Sequence, residues 1–169
     1  MKKLTIDTRD PKAMEAIADA VHWTGVIEGK QVTIDVKKVE AHQCEFQFRT
    51  IAIHPQIVDT IIRHRDIDID YLKQLCEDKQ SVIFSQKPTY WVDHHEIGSM
   101  GVPEMTIIDG IHILLAKFIC GVKSMRAFII PIERLDEFCL DVYIIKPDGT
   151  EIRADDVDVR TLYGLYTKP

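Results

Sequence analysis

The sequence predicts an α+β protein, and three patterns carry that prediction. Apolar residues recur at helical spacing behind good helix starts, as in Met14, Ile17, Ala18 and Val21 behind Asp10-Pro11, and Ile57, Val58, Ile61 and Ile62 behind Pro55. Elsewhere they alternate with polar neighbours, as in Val32, Ile34 and Val36 or Phe46 and Phe48, the period of a half-buried strand. Over 105–121 an apolar extended run meets Asp109-Gly110 and continues as an almost uniformly apolar segment, so a buried strand feeds a buried helix through a sharp turn.

In chain order, Asp10 is a capping residue, and Pro11 lacks an N–H that the first helical position does not use. The helix they start is expected to run to His22, with Gly25 able to end it. Strands through Val32, Ile34 and Val36 and through Phe46 and Phe48 should flank a connection over 38–44. The Pro55 helix should stop near Arg65, and Asp68 or Asp70 can cap a third helix carrying Tyr71, Leu72, Leu75 and Cys76. Residues 81–84 and 89–92 read as short strands. Residues 93–104, with two Gly, one Pro and the adjacent His94 and His95, read as the longest functional loop. Residues 111–120 form the apolar helix with Gly121 at its stop, and 125–130 a strand closed by Pro131. Residues 139–145 then pair with 150–153 across Pro147-Asp148-Gly149.

Composition limits what such a fold can be. A chain of 169 residues can bury roughly two thirds of its unfolded surface, without a metal or disulfide staple. The apolar fraction of 46% and charged fraction of 28% are those of a globular protein. No run approaches the ~20 apolar residues of a membrane span, and Met1-Lys2-Lys3-Leu4 opens no signal-peptide core. The expectation is a soluble, cytoplasmic protein with no membrane partner, one domain over 1–169. Cys44, Cys76, Cys120 and Cys139 are scattered without a Cys-x-x-Cys pair, as free and mostly buried thiols are. A net charge of −6 disfavours nucleic acid as the main partner, since phosphate-backbone affinity comes from clustered Lys and Arg. Arg63-His64-Arg65 and Lys37-Lys38, the densest basic runs, read as solvated faces. There is no Walker loop, dinucleotide-type Gly pattern or Gly-x-Ser-x-Gly elbow.

The string from Thr106-Ile107-Ile108-Asp109-Gly110-Ile111-His112 through Ala116 to Gly121, continuing to Ala127, resembles the ParB/sulfiredoxin superfamily. Its members carry a strand, an Asp-Gly or Gly-Gly turn, one or two polar residues, an Ala in the helix, a Gly at its end and a returning strand. The helix candidate over 70–77 stands in the family's order. The resemblance implies a small mixed sheet packed with helices, here with N- and C-terminal elaborations. It also implies a helix N-terminus that binds nucleotide phosphates, where free N–H groups meet an anion and Gly lets the backbone approach it. Relatives with this isolated domain often belong to phage- or plasmid-type DNA modification or maintenance systems. This chain departs from the pattern at Ile113, where relatives place a phosphate-binding Arg, and at Ile111, where sulfiredoxin chemistry needs a Cys. That chemistry is excluded.

The candidate ligand-binding residues are therefore Asp109, Gly110 and His112 at the turn, with Trp91, Asp93, His94 and His95 from the preceding segment. His112 near the helix start should be neutral and able to bond a ligand, or else to satisfy a neighbouring backbone group. Asp109 could hold a ligand hydroxyl or a divalent cation, while the commoner use of an Asp there is to cap its own helix. Asp93-His94-His95-Glu96, with Asp109 and His112, offers oxygen and imidazole ligands, but adjacent His in extended chain point apart and no zinc spacing is matched. No metal site is predicted. Trp91 and Tyr90 could stack on a base or fill the core. Arg63, Arg65 and Lys123 are the basic side chains that could replace the family Arg. Two readings follow. One is a domain binding a nucleotide, with a divalent cation, or another small polar or phosphorylated ligand. The other is a non-enzymatic interaction or inhibitor module that has lost the phosphate site.

Overall fold

A computed structural model describes residues 2–12, 22–97 and 103–153. The fold is α+β, with two mixed sheets and short helices. The chain divides into two compact units, one of residues 1–42 and 133–169, the other of residues 43–132.

The first unit has a five-stranded sheet. Strand β1 (Lys2–Asp7) runs parallel to β8 (Cys139–Ile145), which is antiparallel to β3 (Lys30–Asp35), itself paired with β2 (His22–Ile27). Strand β9 (Glu151–Arg153) pairs with β8 across the Pro147-Asp148-Gly149 turn, as the sequence predicts. The β2–β3 turn places Glu28 and Gly29 at φ of 51° and 75°, the paired left-handed conformation of a tight hairpin. Helix α1 (Val36–Ala41) follows β3 directly, because Asp35 accepts a hydrogen bond from the Lys38 N–H and turns the chain. Its Val36 and Val39 pack among the buried residues.

Two expectations fail in this unit. Val36 is the first residue of a helix rather than the end of a strand, and 38–44 is not a simple connection, since Lys38 lies within α1. The helix expected from Pro11 lies outside the described residues over 13–21, but His22 is the start of β2. Gly25 therefore ends no helix. It sits mid-strand, where a Cβ would lie 2.5 Å from the Trp23 ring, so the position admits only a residue without one unless the ring moves.

The second unit is a four-stranded sheet in the order β4 (Gln47–Ala52), β7 (Ser124–Pro131), β5 (Thr89–Ile97), β6 (Pro103–Asp109). Strands β5 and β7 are parallel, and the other neighbours antiparallel. Helices α2 (Pro55–His64), α3 (Ile69–Glu77), α4 (Lys79–Phe84) and α5 (Ile111–Ile119) complete it. Val58 and Ile61 of α2 and Ile113, Leu114 and Leu115 of α5 meet Trp91, Ile107, Met125, Ala127 and Ile129 of the sheet in one core. At ~25 cal/mol per Å² of apolar surface, such a core is the main source of stability.

The expected strand over 81–84 is instead α4. Asp78 caps it, accepting bonds from the Ser81 N–H and hydroxyl, and this local chemistry overrides the strand preference of Val82, Ile83 and Phe84. At its other end, the buried Lys117 of α5 donates from Nζ to the carbonyls of Val82 and Ser85 at 3.0 and 2.9 Å. An ammonium at a helix C-terminus satisfies carbonyls that the helix leaves open and complements its dipole. The expected loop over 93–104 is mostly strand, with β5 running to Ile97 and β6 beginning at Pro103. No helix among the described residues is long and apolar enough to cross a membrane.

Candidate functional site

The turn from β6 into α5 is built as the sequence predicts, and its parts can be placed one by one. Gly110 is the N-cap of α5 at φ +92°, a conformation that favours glycine. Space matters as well as torsion: a Cβ there would lie 2.9 Å from Thr89 Cγ2 and 3.1 Å from the Pro88 carbonyl oxygen. The close approach that the glycine permits is therefore to the chain's own Pro88-Thr89 segment. That segment is held firmly, since the Thr89 hydroxyl accepts from the Trp91 indole N–H at 2.7 Å and donates to the Arg126 carbonyl.

Asp109 does not cap the helix. No side chain caps α5, and among the described residues neither the Asp109 carboxylate nor the N–H groups of Ile111, His112 and Ile113 have a hydrogen-bond partner. Asp109 is half-buried, opposite Tyr90 on β5. The turn thus presents three free donors and one free carboxylate.

His112 points elsewhere. Its Nε2 accepts a hydrogen bond from the Asp68 backbone N–H at 3.0 Å, and its ring meets Tyr71 edge-on at 5.3 Å. Burial pushes its pKa below the ordinary value, opposed in part by the Asp68 carboxylate, and the accepted bond requires the same neutral form. Asp68 in turn caps α3 by accepting from the Tyr71 N–H. Of the two uses open to His112, the structure makes the backbone bond.

Arg65 is the basic residue brought to the turn. Its Nη1 donates to the Ile107 carbonyl at 2.7 Å, two residues before Asp109 on edge strand β6, and burial lowers its pKa. Arg63 instead forms an exposed ion pair with Asp59, and Lys123 is exposed.

The residues expected from β5 do not join this site. Trp91 is buried in the core with its indole N–H satisfied, so it offers no stacking face. Asp93 lies opposite Met105, further along the hairpin than the Tyr90–Asp109 pair. It accepts from the His95 N–H where the strand bulges and His95 adopts φ +56°. His94 turns to the Thr106 hydroxyl at 2.8 Å. No group of three or more His, Cys, Asp or Glu among the described residues is arranged to hold a metal ion. The oxygen and imidazole cluster weighed from the sequence does not assemble there.

Sequence reasoning missed Lys117 and Asp68 as fixed points of the site's surroundings. A single lysine inside an apolar helical run was the available signal for the first. For the second there was a capping residue but no sign of its histidine partner. No family model, curated protein or solved structure matches the chain.

Proposed function

We propose that the unit of residues 43–132 is a ParB/sulfiredoxin-like domain that binds a small polar or phosphorylated ligand at the start of α5. A nucleotide is the ligand class that the resemblance implies, in a phage- or plasmid-type DNA modification or maintenance system. The observation that carries this reading is the uncapped helix start, where three free N–H groups stand beside a free Asp109 carboxylate. Such a turn suits a ligand with both acceptor oxygens and a hydroxyl or bound cation. Arg65 supplies positive charge on the rim in place of the family Arg missing at Ile113, and His112 supports the turn through Asp68 rather than touching the ligand.

A second reading, a non-enzymatic interaction or inhibitor module, draws on the space over Gly110 being filled and on the exposure of Phe84 at 71% and Ile119 at 61%.

Calorimetric titration with nucleoside mono-, di- and triphosphates and inorganic phosphate, each with and without Mg²⁺, separates the two. The ligand reading expects one of them to bind and Asp109→Asn to change its affinity about tenfold, roughly 1.4 kcal/mol. Tighter binding by the variant means a bare anion, and weaker binding a cation-borne one. No binding across the panel leaves the interaction reading.

A further inference from the structure

Helices α3 and α5 pack against each other side by side, and a hydrogen bond near their N-termini sets their register. Near their N-termini the Asp68 N–H meets His112 Nε2. Eight residues further along each helix stand Cys76, one residue before the end of α3, and Cys120, the C-cap of α5. Both pairs are separated by 44 residues in sequence, so on helices running side by side from the Asp68–His112 contact the two cysteines stand at the same height. At about 1.5 Å of rise per residue the cysteine pair lies roughly 12 Å from the histidine contact.

The two thiols are free and both half-buried, and Cys120 is among the groups that raise the Cys76 thiol. The other two cysteines differ. Cys44 is exposed, and burial pushes the Cys139 thiol up to about 11.

We propose that Cys76 and Cys120 form a dithiol site that a hydroperoxide oxidises to an intramolecular disulfide, tying the C-terminal ends of α3 and α5 together. Neither cysteine lies mid-helix, so the backbone can give at both positions as the sulfurs draw to the ~2.05 Å of a disulfide. Burial, followed by the neighbouring Cys120, raises the Cys76 thiol above its ordinary pKa, which suits Cys76 to the second, resolving step. The Cys120 sulfur attacks one peroxide oxygen, the O–O bond breaks, and the departing hydroxide takes up the proton that the Cys120 thiol gives up and leaves as water. Cys120 is then a sulfenic acid. The Cys76 sulfur attacks that sulfur, the S–O bond breaks, and the hydroxyl leaves with the Cys76 proton as a second water. Two thiols are oxidised and one hydrogen peroxide is reduced.

The site is independent of any ligand at the β6–α5 turn and is tested without one. The full chain is treated with hydrogen peroxide, digested with trypsin without reductant and mapped by mass spectrometry. The expected product is the segment Gln74 to Lys79 joined to Phe118 to Lys123, two hydrogen masses below the sum of the parts and released by dithiothreitol. In Cys76→Ser the sulfenic acid on Cys120 has no resolving thiol and should proceed to sulfinic acid or to an intermolecular disulfide. Separate over-oxidation of Cys76 and Cys120 in the unmutated chain, or a disulfide to Cys44 in their place, would overturn the proposal.

Discussion

Helices α3 and α5 pack side by side in one unit, yet they are stabilised in opposite ways. Helix α5 begins at a bare glycine with its first donors unpaired, and its residues Ile113 through Lys117 are all buried. Helix α3 has no buried residue and begins at Asp68, whose side chain caps it. Packing holds the first and local hydrogen bonding contributes to the second. The consequence for function is that α5 can leave its N-terminus open because its stability is not set there.

The contrast is tested most severely at Leu114, which is wholly buried. Leu114→Ala should cost about 2–5 kcal/mol in denaturant unfolding, whereas Leu72→Ala on half-buried α3 should cost about 1 kcal/mol. Equal losses would mean that α5 is no more dependent on packing than its neighbour. Gly110→Ala comes next, at about 1–3 kcal/mol for the left-handed torsion, with the contact to Thr89 adding to it. A loss no larger than the torsion alone would show that the Pro88-Thr89 segment moves aside, and an unchanged midpoint would show that the turn itself gives up its left-handed conformation.

These two helices also show which features a sequence displays. The α5 turn was legible because strand, Asp-Gly and apolar run are contiguous, and the start of α3 because Asp68 is a local capping signal. Helix α4 was not, since Val82, Ile83 and Phe84 favour a strand and only the Asp78–Ser81 bonds and the distant Lys117 decide otherwise. At the site, Gly110 and Asp109 could be named, but not what they face. Thr89 over the glycine, Arg65 beside Ile107 and Asp68 against His112 are contacts of 21, 42 and 44 residues' separation, which no local pattern encodes. The loop expected over 93–104 failed for a related reason. Gly, Pro and paired His mark a break, yet β5 absorbs one irregularity as a bulge at His95 and continues.

A smaller effect tests the local side of the comparison. Asp68→Ala removes the α3 cap and should cost about 1 kcal/mol, leaving Asp68's own N–H still bonded to His112. A loss as large as that of Leu114→Ala would mean that the cap anchors more than its own helix.

The smallest effect is confined to a pH window and comes from the bond that joins the two helices. Burial lowers the His112 pKa in the folded chain from its ordinary 6.5, while the Asp68 carboxylate opposes the shift. Between the folded and unfolded pKa values the unfolded chain binds more protons, so stability rises with pH through that window. It is fully present above 6.5 and is lost as pH falls below that value. The chemical reason is direct: a protonated imidazole has no lone pair for the Asp68 N–H. Carboxylates held below their ordinary range by Arg9, Ser81, Thr150 and Arg134, namely Asp7, Asp78, Asp148 and Glu137, lose stability only at lower pH. His112→Gln keeps an acceptor oxygen without the titration, so its unfolding midpoint should be flatter than the unmutated chain's as pH falls below 6.5 and fall alongside it in stronger acid. If the two profiles superimpose through that window, the His112–Asp68 bond does not control the proton uptake, and α3 and α5 are joined by packing alone.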